Sequence, residues 1–352
     1  MLISKIEVEN LTVFEKMAMD VGANVNVIIG ENGTGKTHLL KFIKLTLGGS
    51  VSISFSVEEQ IEFRESIGRL ASAEKVFGKH ITVSREKENE STFKLFVKSE
   101  LLAGYYLRKK VKSRTKEPYL REVWGSSEVF EGFVEKYDKI VFLPSKDMLT
   151  HSKGLVEMKD KYGHNMPFDL TLLDVIKKAR RWKLDKMPKI AEEIIPKLEM
   201  AMDGKVVVEN EEFFIQKNNG QKLSFSVESE GMKKIGLIWQ LLMNESIAEG
   251  SVLLWDEPEA NMNPKLIPVL AEIILELGRN GVQIFLATHD GLLAEYIEHL
   301  MSENDQVAFH ALYKTDNGVQ CETDEKFTLL SKNAIIAEKI SLYKKIVEKG
   351  LE

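Results

Sequence analysis

A chain of 352 residues and 40.0 kDa has room for a sizeable core and for one elaborated or two ordinary domains. Hydrophobic residues at 43% and charged residues at 29% exclude a disordered or low-complexity chain. With 48 basic against 54 acidic side chains the net charge is -6, so contact with nucleic acid would need local basic patches rather than the overall field.

Cys321 stands alone, which rules out an intrachain disulfide or a cysteine zinc site; it reads as packing filler in a reducing, cytoplasmic setting. Neither a leader nor a membrane-spanning apolar run is expected from the sequence. Ile3, Ile6 and Val8 alternate with Lys5, Glu7 and Glu9, which predicts a strand over 3–9. A turn, a strand over 16–21, a break at Gly22, Ala23 and Asn24, and a short apolar strand over 25–29 follow. From Thr37 the spacing turns helical, with Leu39, Leu40, Ile43 and Leu47 on one stripe that stops at Gly48 and Gly49.

Residues 51–203 read as an inserted α/β and helical lobe between the parts of a head made of 1–50 and 204–352. Expected within it are a helix near 58–75, a hairpin joining 80–85 to 92–98, a basic stretch, a strand over 139–143, and helices in 169–202 broken at Pro188 and Pro196. After Gly204 come strands over 206–209, 212–216 and 222–227, the last two joined by the turn Asn218, Asn219, Gly220. From there helices (231–244, 263–278, 291–300) alternate with strands (251–255, 282–287), which predicts an α/β fold with a mixed, largely parallel sheet and flanking helices. A strand over 319–323 and a helix over 333–349 end the reading.

Between the 25–29 strand and the first helix, Gly30, Glu31, Asn32, Gly33, Thr34, Gly35, Lys36 and Thr37 spell G-x-x-x-x-G-K-T, the context a phosphate loop requires. Glycines let main-chain N–H groups face phosphate oxygens, Lys36 reaches the outer phosphates, and the Thr37 hydroxyl suits Mg²⁺. A chance match in a chain of this size has a probability of roughly 1%. The apolar run 252–255 then delivers Asp256 and Glu257 to a strand's C-terminal edge, where α/β sheets bind ligands. Asp256 is the candidate metal ligand beside Thr37, and Glu257 the candidate base for an attacking water. His289, displayed after the next apolar strand, is a candidate contact for a terminal phosphate. Phe14 reads more readily as core than as a base-stacking residue.

These residues resemble the ABC-type ATPases of the RecF, SMC and OLD-like group, often described as AAA-family ATP-binding proteins. Ile6 to Leu11, the glycine loop, Ser229-Glu230-Gly231, the run from Asp256 to Pro264, and Thr288-His289-Asp290 look like its successive motifs, in its order. The resemblance covers residues 1–47 and 222–313 and implies ATP and Mg²⁺ as ligands, with His38 joining the loop residues around the nucleotide. It also implies a homodimer in which Ser229, Gly231 and Asn261 of one copy meet the nucleotide of the other. Two departures stand out: the signature is Ser-Glu-Gly, and residues 142–146 hold no glutamine. The short segment after Tyr313 leaves no room for the TOPRIM nuclease of OLD-type enzymes, so a nuclease or toxin is expected as a separate chain.

Arg108, Lys109, Lys110, Lys112, Arg114 and Lys116 form one basic cluster beside Tyr105 and Tyr106, and Lys177, Lys178, Arg180, Arg181, Lys183, Lys186 and Lys189 a second. Each is a candidate DNA contact or an ordinary solvated face. The leading expectation is a cytosolic ATPase that dimerises on ATP and acts on DNA or a partner effector, with phage defence or DNA repair as settings. A nucleotide-gated regulator holding a separate toxin or nuclease in check is the alternative. A transporter subunit is disfavoured by the long interval between Lys36 and Asp256.

Overall fold

Strand β3 (Val25–Gly30) is buried along its whole length, because helices or a second sheet cover both faces of the sheet it centres. The computed structural model describes residues 3–48, 91–97, 100–109, 118–124, 139–150, 152–155 and 170–350. Two antiparallel strands, β1 (Lys5–Leu11) and β2 (Phe14–Asp20), precede β3, and α1 (Lys36–Gly48) follows it. Next come β4 (Ser91–Val97), β5 (Glu100–Lys109), β6 (Pro118–Trp124), β7 (Ile140–Leu143), α2 (Leu170–Ala179) and α3 (Ile195–Met202). The hairpin strands β8 (Gly204–Glu209), β9 (Glu212–Lys217) and β10 (Lys222–Ser224) lead into α4 (Glu230–Met243). Then β11 (Val252–Asp256), α5 (Ile267–Arg279), β12 (Gln283–Thr288), α6 (Gly291–Leu300), β13 (Val307–Thr315), β14 (Gly318–Asp324) and α7 (Ala334–Gly350) complete the order.

The main sheet runs β14-β13-β3-β12-β11-β7, with every pairing parallel except β13 with β14. Side chains alternate between its two faces. Val27, Leu253, Trp255, Ile284, Leu286 and Phe309 face one cluster with α2 to α6, while Ile28, Leu254, Phe285 and Leu312 face another with α1 and the β1/β2 strands. Helix α1 is thus sandwiched between two sheets. Gln283 ties them at one end, accepting from Ile3 N and donating to Ile3 O at 2.8 Å each.

The described parts of 51–203 join these sheets. Strands β4, β5 and β6 extend the antiparallel sheet as β2-β1-β4-β5-β6, and β7 is the outer strand of the main sheet against β11. Residues 92–97 do form a strand, with β1 and β5 on its two edges. Segments 80–85 and 58–75 lie outside the described residues, as do Lys110, Lys112, Arg114 and Lys116; Arg108 and Lys109 end β5. Pro196 opens α3 instead of breaking a helix, since a first-turn proline sacrifices no helical hydrogen bond. The expected strand over 222–227 stops at Ser224, where Ser224 and Ser226 form a local turn. Among the described residues no helix is long and apolar enough to cross a membrane.

Candidate active site

Strand β12 lies between β3 and β11, so three parallel strands present their C-terminal ends side by side: the glycine loop, Thr288 with His289, and Asp256 with Glu257. Gly30 needs its φ of 155° and its bare Cα, because a Cβ there would stand 2.5 Å from the Leu312 carbonyl oxygen. Gly35, at φ 87°, would drive a Cβ to 2.7 Å from Val13 and 2.8 Å from Phe14, which is buried core. Thr34 is buried and spends its hydroxyl on the Glu31 carbonyl, at 2.9 Å. His38, in the first turn of α1, sets its ring 6.3 Å from that of Phe42.

Lys36 folds its ammonium back onto the loop, donating to Gly30 O at 2.7 Å and Glu31 O at 3.1 Å. Burial lowers its pKa against the opposing pull of Glu257, Asp256 and Glu259. Across the sheet edge, the Thr37 hydroxyl stands 3.0 Å from each carboxylate oxygen of Asp256. The two proposed metal ligands, 219 positions apart in sequence, are in contact. Burial first, then the neighbouring Glu257, pushes the Asp256 carboxyl up to about 6, against the Thr37 hydrogen bond. A buried anion raised in this way is a place where a cation would be stabilised.

His289 Nδ1 lies 3.3 Å from Glu257 Oε1, which joins the candidate base to the candidate phosphate contact. Glu257 holds a left-handed φ of 47°, an uncommon conformation for a residue of its bulk. Two contacts fix it: its N–H donates to Ala287 O at 2.8 Å, and its carbonyl accepts from Lys234 at 2.8 Å. Lys234 also donates to Pro258 O at 3.3 Å and Ala260 O at 2.9 Å, so all three of its protons serve the turn after β11. Glu259 in that turn is buried and accepts from Thr288 Oγ1 at 2.6 Å. These residues escaped the sequence reading. Lys234 lies three positions after Gly231, but only the fold shows that it reaches back to β11.

Ser229 begins α4 in extended conformation with no side-chain cap, and Gly231 sits against Met262, 3.3 Å from where its Cβ would be. Asn261 is left-handed at φ 61°, which asparagine tolerates. Among the described residues no hydrogen bond joins Ser229, Gly231 or Asn261 to the glycine loop of the same chain. Lys314 at the end of β13, which the sequence reading passed over, donates to Asn32 O at 3.3 Å and lies 4.0 Å from a Cβ placed on Gly33.

A family model described as "AAA domain, putative AbiEii toxin, Type IV TA system" matches residues 25–295. The chain belongs to this AAA-domain family. Its fold is that of SMC head ATPases. The SMC head domain from Thermotoga maritima is similar at 14% identity and TM-score 0.50, over 92% of this chain and 100% of that one. An SMC head bound to the C-terminal winged-helix domain of ScpA is similar at 14% identity and TM-score 0.54, over 93% and 99%. A Pyrococcus furiosus SMC head with an extended coiled coil, bound to the C-terminal domain of ScpA, is similar at 11% and TM-score 0.51, over 98% and 99%. No curated protein matches the chain.

Proposed function

We propose that this AAA-family protein binds ATP with Mg²⁺ and hydrolyses it, and that two copies close on the nucleotides. The contact of Thr37 with both oxygens of Asp256 carries the reading, because a phosphate loop and an acidic strand end are of use to a triphosphate only together. Loop N–H groups from Asn32 to His38 would face phosphate oxygens, and Lys36 would exchange its carbonyl partners for them. Thr37 and Asp256 fit Mg²⁺, which when bound neutralises phosphate charge. Glu257 orients and deprotonates the attacking water, and His289 steadies Glu257 while facing the terminal phosphate. Ser229, Gly231 and Asn261, which form no hydrogen bond with their own loop among the described residues, would serve the partner's nucleotide.

Closure and release would act on DNA or on a partner effector, with phage defence or DNA repair as settings. The ScpA-bound SMC heads support a protein partner for this fold. The toxin–antitoxin term in the family description supports a second reading, in which nucleotide occupancy governs a separate toxin or nuclease. Phosphate release and solution mass, measured together with ATP and Mg²⁺, test the proposal. Turnover with ATP-dependent doubling of mass is expected, and a monomer inert to ATP would refute it. Slow turnover with a co-purifying protein would select the second reading.

A further inference from the structure

Trp182 is 94% exposed, far beyond the usual state of the most area-rich apolar side chain. The loop that carries it is anchored, not loose. Buried Gln240 donates to Ala179 O at 2.9 Å and Arg181 O at 3.3 Å, and buried Asn244 donates to Lys178 O at 2.9 Å. On the far side of the ring, Leu184 N donates to Met243 O at 2.9 Å. The backbone on both sides of the exposed indole is therefore tied to the end of α4.

The basic cluster expected over 177–189 divides in the structure. Lys178 is buried and Arg180 pairs with Glu211 at 3.0 Å, whereas Lys183, Lys186 and Lys189 are exposed around the tryptophan, with Asp185 as the acid among them. Leu184 and Met187 are exposed as well, at 41% and 44%, but the indole is the loop's largest apolar exposure, and it stands in a segment with three exposed cations. A lipid surface is bound through apolar area; a single strand of nucleic acid is bound through ring faces and phosphate charge.

We propose that residues 181–189 are a contact for single-stranded nucleic acid, with Trp182 stacking on a base and Lys183, Lys186 and Lys189 meeting phosphates. The inference deepens the DNA branch of the function proposed above. It also gives that branch a mechanical route: the anchors Gln240 in the last turns of α4 and Asn244 at its C-cap lie about 14 and 20 Å along the helix from Gly231 at its start.

The test is fluorescence anisotropy of a labelled oligo(dT) of ~20 nucleotides with the full chain, without nucleotide. Trp182→Ala should weaken binding on the order of tenfold and Trp182→Phe should keep most of it, as stacking of 1–3 kcal/mol per base requires. Replacing Lys183, Lys186 and Lys189 by Ala together should lower the slope of log K against log salt by about 2. Absence of oligo(dT) binding, equal binding by Trp182→Ala, or binding confined to phosphatidylserine vesicles would each overturn the proposal. Because no ATP is present, these outcomes are separate from those that decide the ATPase reading.

Discussion

The ammonium of Lys234 stands 2.8 Å from the main-chain oxygen of Glu257 and so links the helix that begins with the signature residues to the turn that holds the candidate base. Gly231 packs on Met262 of the same turn. Whatever grips the start of α4 is thereby in touch with the backbone that aims Glu257. Lys234→Met keeps the bulk but takes the ammonium from the carbonyls of Glu257, Pro258 and Ala260, leaving Glu257 O with the Ala260 N–H alone. Turnover is expected to fall about tenfold or more with nucleotide affinity changed by less than about threefold, and stability to fall on the order of 2–3 kcal/mol. Steady-state kinetics beside equilibrium nucleotide binding and thermal melting separate the two effects; unchanged turnover would mean that the turn holds its shape without Lys234.

Lys36→Ala removes the cation that the loop holds ready for phosphate. Titration calorimetry with ATP is expected to show no measurable binding, while the melting temperature without nucleotide falls modestly, since two carbonyl contacts and the attraction of Glu257, Asp256 and Glu259 go with the ammonium. Normal ATP affinity in this variant would take the phosphate site elsewhere.

Glu257→Gln preserves shape and removes the proposed base. ATP binding should persist, turnover should drop at least about 100-fold, and the two-copy form should accumulate with ATP on size exclusion with light scattering. A variant that hydrolyses at the parent rate would pass the role of base to another residue.

Asp256 gives the site a pH signature. Its carboxyl is raised to about 6 in the fold, against an ordinary value of 3.8, so the folded chain binds more protons than the unfolded one between those limits. The sign follows: without ligand, stability falls as pH rises from about 4 to 6, by on the order of 2–3 kcal/mol, and stays lower above that window. Asp256→Asn should therefore raise the melting temperature at pH 8 and change it little at pH 4, while losing the stabilisation that Mg²⁺ and ATP give the parent. Equal melting shifts at both pH values would show that the carboxyl is not strained by burial.

Much of this site was legible before folding was considered, because its residues act at fixed spacings on single elements. Lys36 and Thr37 must open a helix after an apolar strand, and Asp256 must end one; each condition can be read within a dozen residues. The link between Thr37 and Asp256 rested on the general rule that α/β sheets bind ligands at strand C-terminal ends, since β12, which places them together, lies still further along the chain. Lys234 and Glu259 carried no local sign of their roles: a lysine inside a helix and a glutamate in a turn are ordinary surface residues until the carbonyls and Thr288 around them are known. The partners of β4 were out of reach for a similar reason. Alternation marks a strand but not its neighbour, and the neighbour proved to be β1, more than eighty positions earlier.

The order of strands in the main sheet also bears on synthesis at the ribosome. Strand β3 has β12 on one side and β13 on the other, so the element that launches the phosphate loop leaves the exit tunnel with neither flank available. Until β12 and then β13 have emerged, the backbone donors and acceptors along its two edges stay unmatched, although β1, β2 and α1 can already cover the face that carries Ile28. A chain truncated before β12 would keep both edges of β3 open, and its product is expected to aggregate.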